Sequence, residues 1–327
     1  MRYLRVLYVV GALAALFFIL APFGVSAHEV YVLSADTIAN DIRTPSPNPF
    51  GAFATNRFQF FLWGFIAFVV VSTIFFASIT HRFEMLFEPA LARLRPWAGA
   101  VARITLGLCL IASAYNGALF GPELPLSDFG GYDILVQLGL YVAGLLILLN
   151  RFVSVGASIA LIIFAVATVR YGVYILTYLN YLGEIALALF LLKPKYEAYA
   201  FLALRVGFGV SVAFAALYGK FLHSNLALSV VSEYNLTQFF HFDPLFIVLG
   251  ACIIEVLIGI FFIVGFELRH TVLFFLFWLF LSLLYFGESV WPHLVLLGVN
   301  VAIFMYGYDK WTVEGRLFNR GKFQPFL

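Results

Sequence analysis

PLFIVLGACIIEVLIGIFFIVGF occupies residues 244–266 and carries one ionisable side chain, Glu255, among its 23 residues. At about 1.5 Å of rise per residue, a helix of this length covers the roughly 30 Å of hydrocarbon in a bilayer. The backbone there has no water to bond to and must satisfy its own hydrogen bonds. An almost uncharged run this long therefore reads as a transmembrane helix.

The rest of the chain is composed in the same way. Of 327 residues, 63% are hydrophobic and 11% are charged, with 39 phenylalanines and a mean hydropathy of +1.00. A soluble domain carries about 25% charged residues. So few charges exclude a cytosolic enzyme, and a net charge of +2 lacks the basic footprint of a nucleic-acid binder. Comparable runs predict further spans near 58–79, 100–120, 134–149, 152–169, 173–192, 200–222, 271–287 and 292–307.

The N-terminus reads differently. Arg2 and Arg5 precede the apolar run 7–20, followed by Pro22, Gly24 and Val25-Ser26-Ala27. That is the anatomy of a secretory signal over 1–27, and cleavage after Ala27 leaves His28 first; an uncleaved signal anchor is the other reading. Residues 28–57 form a short Pro-rich extracytoplasmic segment, and 58–99 an extra span with a connector. The connector, 81–97, mixes Phe83, Leu86 and Phe87 with Arg82, Arg93 and Arg95, as an interfacial helix does. Lysines and arginines, including Arg82, Arg151, Lys195, Arg269 and Arg316, fall between alternate spans, whereas Glu123, Asp128, Glu233 and Asp243 fall in the opposite loops. The positive-inside rule then puts the mature N-terminus outside, the 311–327 tail in the cytoplasm, and the protein in the cell membrane.

A frame recurs inside the chain. Arg103-x3-Gly107-x9-Gly117 is repeated 102 residues later as Arg205-x3-Gly209-x9-Gly219, and Gly183 aligns with Gly298. Each frame opens a block of four predicted spans, 100–195 and 196–310. An even number of crossings per block makes the two blocks parallel repeats. The expected fold is an all-α membrane protein of two parallel four-helix repeats, preceded by a signal sequence and one extra span.

The second block also carries Lys220 directly after Gly219, then Glu255-x3-Gly259-x5-Gly265-x3-Arg269, and finally Glu288 and His293. In these residues it resembles the DoxX-like family of four-helix membrane proteins. The first block matches less fully: Ala118 stands where Lys220 does, and its second span has no Glu. Residues 1–99 lie outside the resemblance. It implies a membrane redox role, as in a subunit of a thiosulfate:quinone oxidoreductase or in thiol-handling complexes.

Ionisable groups within spans cost about 2.5–3.5 kcal/mol each on insertion scales, so each calls for a partner or a task. Lys220, Glu288 and His293 are expected at one outer depth with Glu255 beneath them, either as an ion-pair cluster or as an outward-opening polar pocket. In the pocket reading, Glu255 or Glu288 exchanges protons, and Lys220 or His293 binds a substrate oxygen. Asn180 and Glu184, one helical turn apart, form a second polar cluster with Gln137 and Arg170, reading either as interhelical glue or as a weaker pocket.

Cys109 and Cys252 are expected at different depths, which argues against a thiol–disulfide relay within this chain and for buried apolar thiols. No histidine falls in mid-span, so a haem held between two spans has no ligands. A mature His28, with its amine and ring nitrogen, suits Cu(II), and His223 or His241 completes the candidate copper set; ordinary loop histidines are the other reading. No flavin or nicotinamide motif is present, so a redox role draws electrons from the substrate or from a membrane or periplasmic partner protein, with quinone as the candidate acceptor. Two further classes fit the same features: a proton-coupled transporter or channel component, and a non-catalytic scaffold or assembly subunit.

Overall fold

A computed structural model describes residues 33, 35–54, 56–190, 194–240, 242–286 and 290–317. The expected signal sequence, His28, His241 and Glu288 lie outside the described residues. The described residues are all-helical, and among them six helical segments are long and apolar enough to cross a membrane: Leu86–Tyr115, Leu126–Leu148, Val153–Phe190, Glu197–Leu222, Pro244–Val264 and Leu268–Phe286. Two shorter apolar stretches, Phe60–Phe76 and Trp291–Tyr306, accompany them. This is the architecture of a multi-pass membrane protein.

In chain order the main helices are α1 (Ala35–Arg43), α2 (Asn56–Leu94), α3 (Ala98–Tyr115), α4 (Asp133–Leu148), α5 (Val153–Tyr171) and α6 (Leu179–Phe190). They are followed by α7 (Glu197–Ala216), α8 (Ser224–Glu233), α9 (Pro244–Val264), α10 (Leu268–Phe286) and α11 (Leu294–Tyr306). Helix α9, the segment quoted above, has chemically explicit ends. The Asp243 carboxylate accepts from the Leu245 amide at 2.9 Å, Pro244 follows at the first helical position, and Gly265 stops the helix at φ +71°. Helix α5 ends at Gly172, φ +58°, and the chain turns through a 3₁₀ segment into α6, which packs back against it. The 38-residue apolar run is therefore two helices, as the separate spans 152–169 and 173–192 require.

Two details go beyond the spans read from hydropathy. Residues 81–94 are not an element of their own. The α2 helix runs unbroken through them to Leu94 because Glu84 and Glu88, one turn apart, both bond Arg269 of α10 and hold the extension against the bundle. The segment between Leu222 and Asp243 is not a simple loop either. It folds into α8, whose buried Leu226, Ala227, Val230 and Val231 recur at helical spacing and face inward.

Packing is governed by backbone approach at glycine. Helices α3 and α4 meet at Gly107 and Gly144, where a Cβ on Gly144 would stand 2.7 Å from the Gly107 carbonyl oxygen. Helices α7 and α9 meet at Gly209 and Gly259, where a Cβ on either would stand 2.5 Å from the other's carbonyl oxygen. Lipid tails are as apolar as leucine, so such close contacts and polar bonds must supply the adhesion. An arginine fixes each pair. Arg103 Nη1 donates to the carbonyls of Ile147 (2.5 Å) and Leu148 (3.1 Å) at the end of α4. Arg205 Nη1 donates to those of Phe262 (2.6 Å) and Ile263 (2.8 Å) at the end of α9. These are carbonyls left without partners by helix termination, placed at the negative end of the helix dipole.

Helices near and far apart in the chain also pack together. Helix α6 packs on α7, with Gly183 against Ala203 and Leu204, and α11 packs on α3, with Gly298 against the Thr105 side chain. Helices α3, α6, α7 and α11 thus make the centre, with α4 and α5 to one side and α9 and α10 to the other.

Gly259→Ala is expected to force α7 and α9 apart and to destabilise the protein by about 1–3 kcal/mol. Gly51→Ala, where a Cβ meets nothing within 4 Å, should leave stability unchanged. Thermal unfolding of both variants in detergent measures the difference.

Candidate functional site

A cavity of about 490 Å³ lies between α6, α7, α9, α10 and α11, and α8 covers it at the end of the bundle. Its walls are mostly aliphatic and aromatic, with a few polar groups converging on the space, the usual make-up of a small-molecule site. Lys220 and Glu255 are among them, joined by an ion pair at 2.9 Å. Lys220 reaches that position from a π-helical segment, Leu217–Leu222, where the His223 amide bonds the Tyr218 carbonyl five residues back. One extra residue per turn re-aims a side chain, and such bulges recur at functional sites. Glu255 comes from the middle of α9, one turn before Gly259, so the glycine contact with α7 sets the depth at which the carboxylate meets the lysine.

His293 opens α11, is 5% exposed and lines the same cavity. Three of the four residues expected to form a pocket are therefore its neighbours, and the fourth, Glu288, lies outside the described residues. Opposite them stands a group the sequence did not single out. Glu123, from the turn after α3, accepts hydrogen bonds at one carboxylate oxygen from the Tyr174 (3.1 Å) and Tyr178 hydroxyls. Tyr218 packs edge-on against Tyr174 at 5.1 Å and tilted against the His223 ring at 4.6 Å.

The second expected cluster does not assemble as one site. Asn180 faces the main cavity, where its side-chain oxygen accepts from the Ser211 hydroxyl (3.1 Å); Ser211 also donates to the Thr177 carbonyl. Gln137 is engaged elsewhere, donating to the Ala114 carbonyl at 2.8 Å and tying α4 to the end of α3. Arg170 is exposed on α5. Glu184 is fully buried one turn below Asn180, and neither of its oxygens has a hydrogen-bond partner among the described residues. The nearby Thr105 hydroxyl is turned to its own helix, to the Val101 and Ala102 carbonyls. Gln137 and Arg170 are polar groups toward the outer side of the Asn180–Glu184 pair in sequence, but they stand on α4 and α5 and bond or face elsewhere.

Both cysteines are buried, and no disulfide joins them. Cys252 bonds the Ala216 carbonyl at 3.6 Å. Cys109 is not in purely apolar surroundings as expected: Tyr181 and Glu184 adjoin it, and its sulfur reaches the Trp291 carbonyl at 3.7 Å. Of the candidate copper set only His223 is described, and its ring lies on Tyr218.

A second charged cluster lies at the opposite end of the bundle. Arg269 bonds Glu84 (2.8 Å), Glu88 and the Phe304 carbonyl and lies over the Tyr308 ring, while Glu267 pairs with His270 at 2.9 Å. Glu84, Glu267 and His270 bring ligand-type atoms within 4.8 Å of one another, the one such grouping among the described residues. Arg269 already balances Glu84, so the cluster reads as a clamp joining α2 to α10 and the α11 exit. Burial, reinforced by Glu314, Glu84 and Glu267, pushes the Tyr308 phenol well above its ordinary range, so this hydroxyl stays a donor to Glu84.

Comparison with protein-family models, curated proteins and solved structures found no match to this chain.

Lys220→Met and Glu255→Gln should each lower thermal stability. Their double mutant is expected to be less destabilised than the two singles summed, with a coupling of about 0.5–3 kcal/mol. Additive effects would mean that the pair is not formed in solution.

Proposed function

We propose that this chain is a DoxX-like membrane subunit of a redox system, built from two parallel four-helix repeats, and that the cavity beside Lys220 and Glu255 takes a small lipophilic substrate of the quinone type. The observation that carries the reading is the Lys220–Glu255 pair set in the wall of a largely apolar 490 Å³ cavity. A lipophilic ring fits the aromatic walls, and the polar groups supply what a quinone oxygen needs: a hydrogen-bond donor and a carboxyl that exchanges protons.

Equivalent contacts in the two halves support the duplication. Arg103 reaches carbonyls three and four residues beyond Gly144; Arg205 reaches carbonyls three and four residues beyond Gly259. Gly107 faces Gly144 as Gly209 faces Gly259. The last helix of each half packs on the first helix of the other, through Gly183 and Gly298. Position 109 bonds the Trp291 carbonyl, and position 211, which is 102 residues on, bonds that of Thr177. On this alignment the counterparts of Lys220 and Glu255 are Ala118 and Leu140, both buried. The first half would keep the scaffold and fill the site with core, leaving one working cavity.

In this reading the protein lies in the cell membrane behind a cleaved signal, with its mature N-terminus outside and its C-terminus in the cytoplasm. Electrons come from the substrate or from a membrane or periplasmic partner. Thiosulfate-dependent bleaching of a short-chain ubiquinone by the purified protein, with and without co-purifying partners, tests the proposal. Glu255→Gln is expected to slow that bleaching by about 100-fold or more, the scale of lost acid–base assistance. Uptake of a solute by proteoliposomes with no change in quinone redox state would favour a transporter instead.

A further inference from the structure

The cavity has a closed end and an open side. At the end, α8 covers it with Leu226, Ala227, Val230 and Val231. Helix α8 is itself clamped by the N-terminal segment: Ser229 donates to the Asp41 carboxylate (2.7 Å), Ser224 to the Pro47 carbonyl (2.5 Å) and Asn225 to that of Thr44 (3.2 Å). On the side the position is different. Among the cavity's lining residues only Leu281 and Tyr285 of α10 are exposed, at 48% and 42%. They share α10 with the still more exposed Phe277 and Leu284, an apolar surface suited to lipid and not to water.

The polar groups inside are already engaged. An incoming anion would have to break Lys220 from Glu255, and an incoming cation would have to compete with two phenols for the Glu123 carboxylate. The first leaves the Glu255 charge unpaired in an apolar wall, and the second weakens two phenol hydrogen bonds; both are costly.

We infer that the cavity exchanges its occupant sideways with the bilayer, past Leu281 and Tyr285, and that this occupant is an uncharged amphiphile with an apolar body and one hydrogen-bonding head. The inference rests on the reading that the cavity is the functional site. It adds the route and the charge class. An uncharged amphiphile is concentrated in the membrane beforehand, so entry from the lipid needs no movement of α8.

The test uses the full chain in phosphatidylcholine vesicles, with Trp63, Trp97, Trp291 and Trp311 changed to Phe. Trp278, which lines the cavity, is then the only fluorophore of its kind. The probe is a bromodecanol, an uncharged heavy-atom quencher; bromodecyl sulfate and bromodecyl trimethylammonium serve as charged counterparts. Saturable quenching by the alcohol alone is expected, and it should be lost in Ala251→Phe, which fills the cavity. Narrowing the side with Leu281→Phe and Ser282→Leu together should slow the approach to the same end point at least fivefold. Asp41→Ala, which releases α8, should not change the rate. Faster quenching in Asp41→Ala with no effect of the α10 changes would overturn the lateral route. Equal saturation by either charged probe would overturn the charge class. Quenching that never saturates and is the same in Ala251→Phe would instead remove the cavity as a site, and with it the reading beneath this inference.

Discussion

Backbone contact at Gly209 and Gly259 is the constraint on which the cavity depends. The two carbonyl oxygens sit where side chains would otherwise stand, so α7 and α9 are as close there as helices can be. Arg205 then bonds the last carbonyls of α9 and fixes the register of the two helices. With register fixed, Glu255 lies one turn above the contact and meets Lys220 at the point where the π segment turns the lysine inward. The cavity opens above that contact because the helices it separates are held together below.

Close approach at one level and space at another is a recurring economy in lipid. Water is absent, so a helical bundle gains little by burying apolar side chains from one another, and it coheres through small residues and polar bonds. The polar bonds that join separate helices here run to backbone carbonyls at helix ends, as from Arg103 and Arg205, or to side chains on distant elements. Arg269 illustrates the second kind: it ties the extension of α2 to α10 and to the exit of α11, at a sequence distance of 181–185 residues from Glu88 and Glu84.

The sequence was most legible where chemistry departs from lipid. Lys220, Glu255 and His293 stand out because ionisable groups are rare in such segments, and spacing alone assigned them compatible depths. Arg103 and Arg205 were visible through their shared frame with glycine, but spacing does not say what they bond, and the carbonyls they take at the ends of α4 and α9 come from the packing of helix pairs. Glu123 could not have been picked out, since an acid in a polar turn is ordinary; its value comes from two tyrosines more than 50 residues away. Helix α8 was hidden by its length, because ten residues of mixed polarity between two turns read as loop. Gln137 and Arg170 do not join Asn180 and Glu184 because the run of spans along the chain says nothing of which helices lie side by side: Gln137 bonds the Ala114 carbonyl of α3 instead.

A lipid-borne molecule is proposed to occupy the cavity bounded by Lys220, Glu255 and α10. Cryo-electron microscopy of the protein extracted directly into native nanodiscs tests it most directly, with Ala251→Phe as the reference. Elongated non-protein density running from the Lys220–Glu255 pair towards Tyr285, absent from the variant, is expected. A wild-type map in which α10 has closed onto α9, with side chains filling the space, would contradict it.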